Sequence, residues 1–370
     1  MTEPQEEQAE PGEPSEPTAV EDTVMRGIRR VGGVSDDLVH HWAPNGARAV
    51  VNAFFGDRLD ASGSPLSHTM GVREHGRSIP LTNDGLAAAF PDARGEVAVL
   101  VHGLIVTETV WDAGQFGPQL EEDFDLTTVK VRYNTGLRIS HNGHELDRVL
   151  AALVAHWPVP VTRIVLIGHS MGGLVIHSAL ALADIDPTVE ASEWVTLVSD
   201  TITLGSPHLG APLERAVNHA VRLGGGLRHL RPVTNFLRSR SVGIQDLRHG
   251  NILDGEWDGA DPDDRQGRRV DIPLHPGIRH FAIVGLLGKK IDSKVAQIIG
   301  DGIVTAASAR GAGRRSPESR RFAREDVVVL PGVSHLALVH DPTVYAAVRA
   351  RLEARTPRGE SGQDGPGTPR

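Results

Sequence analysis

Arg163-Ile-Val-Leu-Ile-Gly-His-Ser-Met-Gly-Gly-Leu-Val175 is the stretch whose reading decides the fold of this chain. Four consecutive apolar residues, Ile164 to Ile167, read as a strand covered on both faces. Gly168-His169-Ser170-Met171-Gly172 follows as a G-x-S-x-G, and an apolar helical run continues through Leu182. Strand, sharp turn and helix form the context of a nucleophile elbow. In that context the serine takes a strained conformation at the strand tip, and the flanking glycines leave room where strand and helix nearly touch. The motif alone is weak. With 41 glycines in 370 residues, a G-x-S-x-G arises by chance roughly one time in four.

The expected partners of such a serine are a general base and an acid that orients it, in the chain order serine, acid, histidine. Strands are expected at Glu96–Val101, Leu126–Arg132, Ser199–Leu204, His280–Gly285 and Val327–Leu330, besides the one at 163–169. Two short strands are expected between Leu66 and Leu81, turning near His75-Gly76. Helices are expected from Thr82 to Phe90, over Gly143–His156, and from Asp341-Pro342 onward. Strands alternating with helices imply a doubly wound, mostly parallel sheet. After the strand at 280–285, the Asp301-Gly302 corner aims a carboxylate back across the sheet. Asp200, at the start of its strand, and Asp292, less framed by glycine, are the competing acids. His335 leaves the last strand on a loop and is the expected base; His340, beside the final helix, suits capping or packing. Leu104 N–H, after Gly103, and Met171 N–H are the expected oxyanion donors. His102 and His208 are expected to shape loops beside the pocket.

The rest of the chain bounds the reading. Residues 1–22 hold Glu3, Glu6, Glu7, Glu10, Glu13, Glu16, Glu21 and Asp22 and no Lys or Arg, so a disordered acidic tail is expected. Removing those eight acids from the net charge of −9 leaves about −1, which gives no electrostatic case for nucleic acid or an anionic membrane. No apolar run is long enough to span a bilayer, so no stable membrane insertion is expected. The acidic N-terminus lacks a basic, apolar leader pattern, which points to the cytoplasm. Zero cysteines exclude disulfides, thiolate metal sites and a cysteine nucleophile. Residues 23–64 are expected to form two or three short helices, broken at Gly32-Gly33 and Pro44-Asn45-Gly46. Residues 65–355 hold the main domain, with a helical cap insertion at about 213–279, and residues 356–370 form a second tail. Asp258, Asp261, Asp263 and Asp264 lack calcium-loop spacing and read as a solvated loop. No cofactor and no metal is expected, and oligomeric state is not legible.

Val-His-Gly-Leu at 101–104, Gly-His-Ser-Met-Gly-Gly at 168–173, Leu-Gly-Ser-Pro-His-Leu-Gly-Ala-Pro at 204–212, Gly-Asp-Gly-Ile-Val at 300–304 and Gly-Val-Ser-His-Leu at 332–336 stand in this order. Together they resemble the α/β-hydrolase superfamily over roughly residues 65–355. Within it they are similar to the bacterial lipases and to lipase-like serine esterases related to the GPI-inositol deacylase. The resemblance implies Ser170, Asp301 and His335 as a catalytic triad, with Leu104 and Met171 as oxyanion donors. It implies a carboxylic-ester hydrolase acting on a small-molecule or lipid ester. Phospholipase, thioesterase or amidase chemistry on the same triad, and a non-catalytic lipid- or partner-binding protein, are the alternatives. Secreted lipases of this type carry a calcium-binding aspartate two residues after the catalytic histidine, where this chain has Ala337.

Overall fold

The computed structural model describes residues 36–185, 193–211, 241–258, 272–289, 299–311 and 322–354. Eight strands form one sheet among these residues: β1 (Gly71–Glu74), β2 (Arg77–Ser78), β3 (Glu96–Val101), β4 (Leu126–Arg132), β5 (Arg163–His169), β6 (Val198–Leu204), β7 (Arg279–Leu286) and β8 (Val327–Pro331). Their order is β2-β1-β4-β3-β5-β6-β7-β8. Strands β4, β3, β5, β6, β7 and β8 are parallel, whereas β1 pairs antiparallel with both β2 and β4. The β1–β2 turn uses His75 and Gly76, both at positive φ, as a tight hairpin requires. Strand β3 lies between β4 and β5, so the chain winds first to one side of β3 and then to the other. The crevice beyond the carboxyl ends of β3 and β5 is the topological switch point, where ligands bind in open α/β sheets.

Alternation along the strands covers both faces. Val97, Val99, Val101, Leu166 and Val131 pack toward α4 (Ile139–His156) and α5 (Met171–Ile185). Ala98, Leu100, Val165, Ile167 and Ile202 pack on the opposite face toward α3 (Phe116–Asp123) and α7 (Pro342–Glu353). Each fully buried large aliphatic side chain stabilises this arrangement by about 1.5–3 kcal/mol. Helix α5 buries Met171, Leu174, Val175, Ile176, Ala179 and Leu180, leaving no polar stripe over that span, as expected of a helix enclosed on all sides. The short helix α2 (Asn83–Ala89) is capped by the Thr82 hydroxyl, which accepts from Gly85 N–H at 3.2 Å. Asp341 caps α7 with Pro342 in the first turn. Among the described residues no helix is long and apolar enough to cross a membrane.

Two of the expected helical regions differ from the sequence expectation. Helix α1 (Asp36–Ala61) runs unbroken through Pro44-Asn45-Gly46 instead of dividing there. Proline removes one ladder hydrogen bond, but the second half of α1 is anchored where Ala49, Asn52 and Ala53 are buried. Asn52 is further tied by Oδ1, which accepts from His68 N–H at 2.8 Å. Helix α4 begins at Ile139, four residues before the expected Gly143. Its extra turn is capped by a side chain 107 residues away in sequence: Asp246 Oδ2 accepts from Ile139 N–H at 3.0 Å. Asp246 Oδ1 accepts from Arg138 at 2.7 Å.

Asp246 belongs to α6 (Val242–His249), in the described part of the insertion. Leu247, Ile252 and Leu253 join the main core, and Ser178 Oγ donates to Ile252 carbonyl at 2.6 Å. Trp257 Nε1 donates to Ser140 Oγ at 3.0 Å, and the Arg138 guanidinium lies 4.4 Å from the Trp257 ring centroid. Residues 241–258 thus contribute side chains to the main core. The rest of the expected cap insertion at 213–240 and 259–271, with Asp261, Asp263 and Asp264, lies outside the described residues, as do Asp292 and residues 1–35 and 355–370.

Burial raises the Asp246 carboxyl to about 6, opposed by Arg138 and the Ile139 amide. Truncating one partner of such a pair strands the other charge. Asp246→Ala is expected to lower stability by about 3 kcal/mol, read as a shift in the urea unfolding midpoint.

Candidate active site

Ser170 stands between β5 and α5 at φ 53°, in the left-handed region that non-glycine residues rarely adopt. Close packing forces the turn. A Cβ on Gly172 would overlap the carbonyl oxygens of Val101 and His102, and one on Gly168 would overlap the Gly173 backbone. Ser170 N–H donates to Leu204 carbonyl at 2.9 Å, tying the elbow to the tip of β6.

Asp301 and His335 meet on the same edge of the sheet. Gly300 and Gly302 flank Asp301 at φ 63° and 102°, so the chain reverses around the carboxylate. Asp301 Oδ1 accepts from Ile303 and Val304 N–H at 3.0 and 2.8 Å. Its Oδ2 meets His335 Nδ1 at 2.7 Å, and His335 N–H donates to Asp301 carbonyl at 3.0 Å. Both side chains are buried. With Nδ1 facing a carboxylate, Nε2 is the ring nitrogen left to exchange a proton with another group. A Cβ on Gly205 would lie 3.0 Å from Asp301 Oδ2 and 3.3 Å from His335 Nδ1, so only glycine fits beside the pair. Among the described residues no hydrogen bond joins the Ser170 hydroxyl to His335. The elbow reaches the His335 loop through the preceding residue instead: His169 Nε2 lies 3.1 Å from His335 carbonyl oxygen.

The competing residues are occupied elsewhere. Asp200 is buried at the opposite end of β6, with Arg163 on one oxygen at 2.8 Å and Arg279 on the other at 2.5 Å. His340 closes the short turn after His335, and its Cα and Cβ leave no room for a side chain at Gly114. His208 stacks on His177 with ring centroids 4.9 Å apart and meets Thr203 Oγ1 at 3.3 Å.

The loop after β3 faces the elbow from the other side. A Cβ on Gly103 would fall 2.9 Å from Ser170 Cβ and 3.0 Å from His169 Nδ1. Leu104 follows, and Met171 is the first residue of α5, whose amide has no acceptor within its own helix. Ile105, a β-branched residue, is held at φ 59°, an uncommon strain of the kind found at functional loops. His102 secures the loop from below. Tyr133 N–H donates to His102 Nε2 at 3.3 Å, which assigns the ring proton to Nδ1, 2.9 Å from Gly103 carbonyl. Tyr133 Oη donates to His102 carbonyl at 2.8 Å, and the two rings stack at 4.4 Å. Tyr133 and Ile105 carry no motif, and His169 is the unspecified position of G-x-S-x-G. A period-2 count along β5 does place His169 on the face opposite Leu166, the face that receives the last loop.

A family model described as the alpha/beta hydrolase family matches residues 98–348. The chain belongs to this family. No curated protein matches the sequence. Among solved structures it is similar to the mature form of the Bacillus licheniformis lipase BlEst2, with 18% identity, a TM-score of 0.42, and coverage of 69% of this chain and 90% of that one. Phospholipase PlaB from Legionella pneumophila matches at 18% identity and a TM-score of 0.43, covering 71% of this hydrolase-family chain and 57% of its own. Staphylococcus hyicus lipase matches at 14% identity and 0.39, covering 70% and 95%.

Burial pushes His102 down to about 4. Burial, then the nearby Arg132 and Arg48 charges, push His68 down to about 3. Both are neutral in the folded hydrolase near neutral pH, whereas in the unfolded chain they titrate near 6.5. Between about 6.5 and 4 the unfolded state binds more protons, so stability falls as pH falls. The loss approaches about 1.4 kcal/mol per pH unit for each histidine. The melting temperature is expected to be lower at pH 5 than at pH 7, with a shallower dependence in His102→Gln.

Proposed function

We propose that this protein is a serine hydrolase that cleaves carboxylic esters of small molecules or lipids through an acyl-enzyme. The observation that carries the reading is the strained Ser170 at the switch point, on the sheet edge where His335 Nδ1 meets Asp301 Oδ2 at 2.7 Å. Ser170 Oγ attacks the ester carbonyl carbon while His335 Nε2 takes the hydroxyl proton. Asp301 keeps the proton on Nδ1 and stabilises the imidazolium that forms. The carbonyl oxygen becomes an oxyanion held by the amides of Leu104 and Met171. The carbon–oxygen bond to the alcohol then breaks, and the alcohol leaves with the proton from Nε2. Water, deprotonated by the same nitrogen, attacks the acyl-enzyme and returns the acid and Ser170.

The experiment is labelling with a fluorophosphonate probe together with p-nitrophenyl ester hydrolysis. Ser170→Ala should abolish labelling, and Ser170→Ala and His335→Ala should each lower kcat by on the order of 10⁶-fold, with the double variant little worse. Asp301→Asn should cost roughly 10⁴-fold, because the imidazole loses its correct tautomer. A wild type that neither labels nor turns over, yet binds lipid, would instead support a non-catalytic binder. Faster hydrolysis of thioesters, amides or phospholipids than of simple esters would move the substrate class and leave the triad in place.

No metal enters this reading. Ala337, two residues after His335, packs against the core and offers no ligand atom from its side chain. Dialysis against EDTA is expected to leave ester hydrolysis unchanged, measured before and after readdition of calcium.

A further inference from the structure

We propose that His169 is a positioning residue that sets the separation between Ser170 and His335. The inference rests on the reading of those two residues as nucleophile and base. His169 is the residue before Ser170 and is only 1% exposed. It lies between the two loops that flank the serine. On one side its Nε2 is 3.1 Å from the carbonyl oxygen of His335, with the two rings 4.9 Å apart. On the other side its Nδ1 lies 3.0 Å from where a side chain on Gly103 would begin.

A carbonyl oxygen only accepts, so Nε2 carries the proton and Nδ1 bears the lone pair. Burial holds the ring well below its ordinary titration range, so the imidazole stays neutral and this tautomer persists. Nδ1 has no hydrogen-bond partner among the described residues. The donor is therefore the part of His169 that engages the site.

What makes that donor matter is the count of restraints on His335. Asp301 supplies two: its carboxylate holds Nδ1, and its carbonyl holds the His335 N–H. Both tie the base to the acid, and neither ties it to the nucleophile. The bond from His169 is the one hydrogen bond between residues 168–173 and the 331–340 loop among the described residues. It links the base loop to the residue peptide-bonded to Ser170. Deleting it leaves the Asp301–His335 pair intact but able to shift as a unit away from the serine. Proton transfer between Oγ and Nε2 needs hydrogen-bond reach, and misplacement by about 1 Å can cost on the order of 10²-fold.

The test compares His169→Leu with His169→Gln. Glutamine can place an amide N–H near the position of Nε2, whereas leucine fills the space with no donor. With p-nitrophenyl acetate, His169→Leu is expected to lower kcat by about 10- to 100-fold and leave KM within about threefold. Fluorophosphonate labelling should slow in parallel. His169→Gln should recover most of that loss at the same melting temperature as the leucine variant. A leucine variant with wild-type kcat, or a glutamine variant as impaired as leucine, overturns the inference while labelling of the wild type upholds the serine-hydrolase reading. A wild type that does not react with the probe overturns both.

Discussion

Helix α5 approaches β3 and β5 more closely than a Cβ allows, and the rest of the site follows from that contact. Gly172 lies against the carbonyls of Val101 and His102, and Gly168 against the backbone of Gly173. Because the helix starts there, its first amide lies beside the crevice where the strand order reverses. Because the chain turns there with no slack, the one side chain at the corner takes a positive φ and is lifted out of the sheet. An apolar α5 supports the strain: its buried side chains hold it against both neighbours, so relaxing the corner would mean opening the core.

Strands β3, β5, β7 and β8 were legible because each carries four or more consecutive apolar residues, and the parallel pairing follows from the helices between strands. The Asp301–His335 pair was anticipated from sequence position, Asp301 in a Gly-Asp-Gly corner after β7 and His335 on the loop after the last strand. Other features depend on partners distant in the chain. The first turn of α4 exists because Asp246 caps it, and nothing near Ile139 announces that. The continuity of α1 through Pro44 reflects anchoring in its second half, where local propensity is a weak guide. His169 was hidden for another reason: a motif that leaves a position unspecified says nothing of a contact 166 residues away.

Two buried histidines around the candidate site, His102 and His169, serve in their uncharged form. His102 shapes the loop after β3 by donating from Nδ1 and accepting at Nε2, two roles that only the neutral ring combines. His169 donates from the opposite nitrogen. The dry surroundings that keep these rings neutral also strengthen each hydrogen bond around Ser170, since less water competes.

At the far edge of the sheet, Arg163 bridges Glu96 on β3 and Asp200 on β6, and Arg279 on β7 closes on the same aspartate. Four neighbouring strands are thereby stitched at the end of the sheet opposite Ser170. Strand register is then clamped from behind, independently of the loops at the carboxyl ends. Those loops are at liberty to diverge in length and chemistry among descendants of such a chain, because the alignment of the strands that carry them is guarded at the other end.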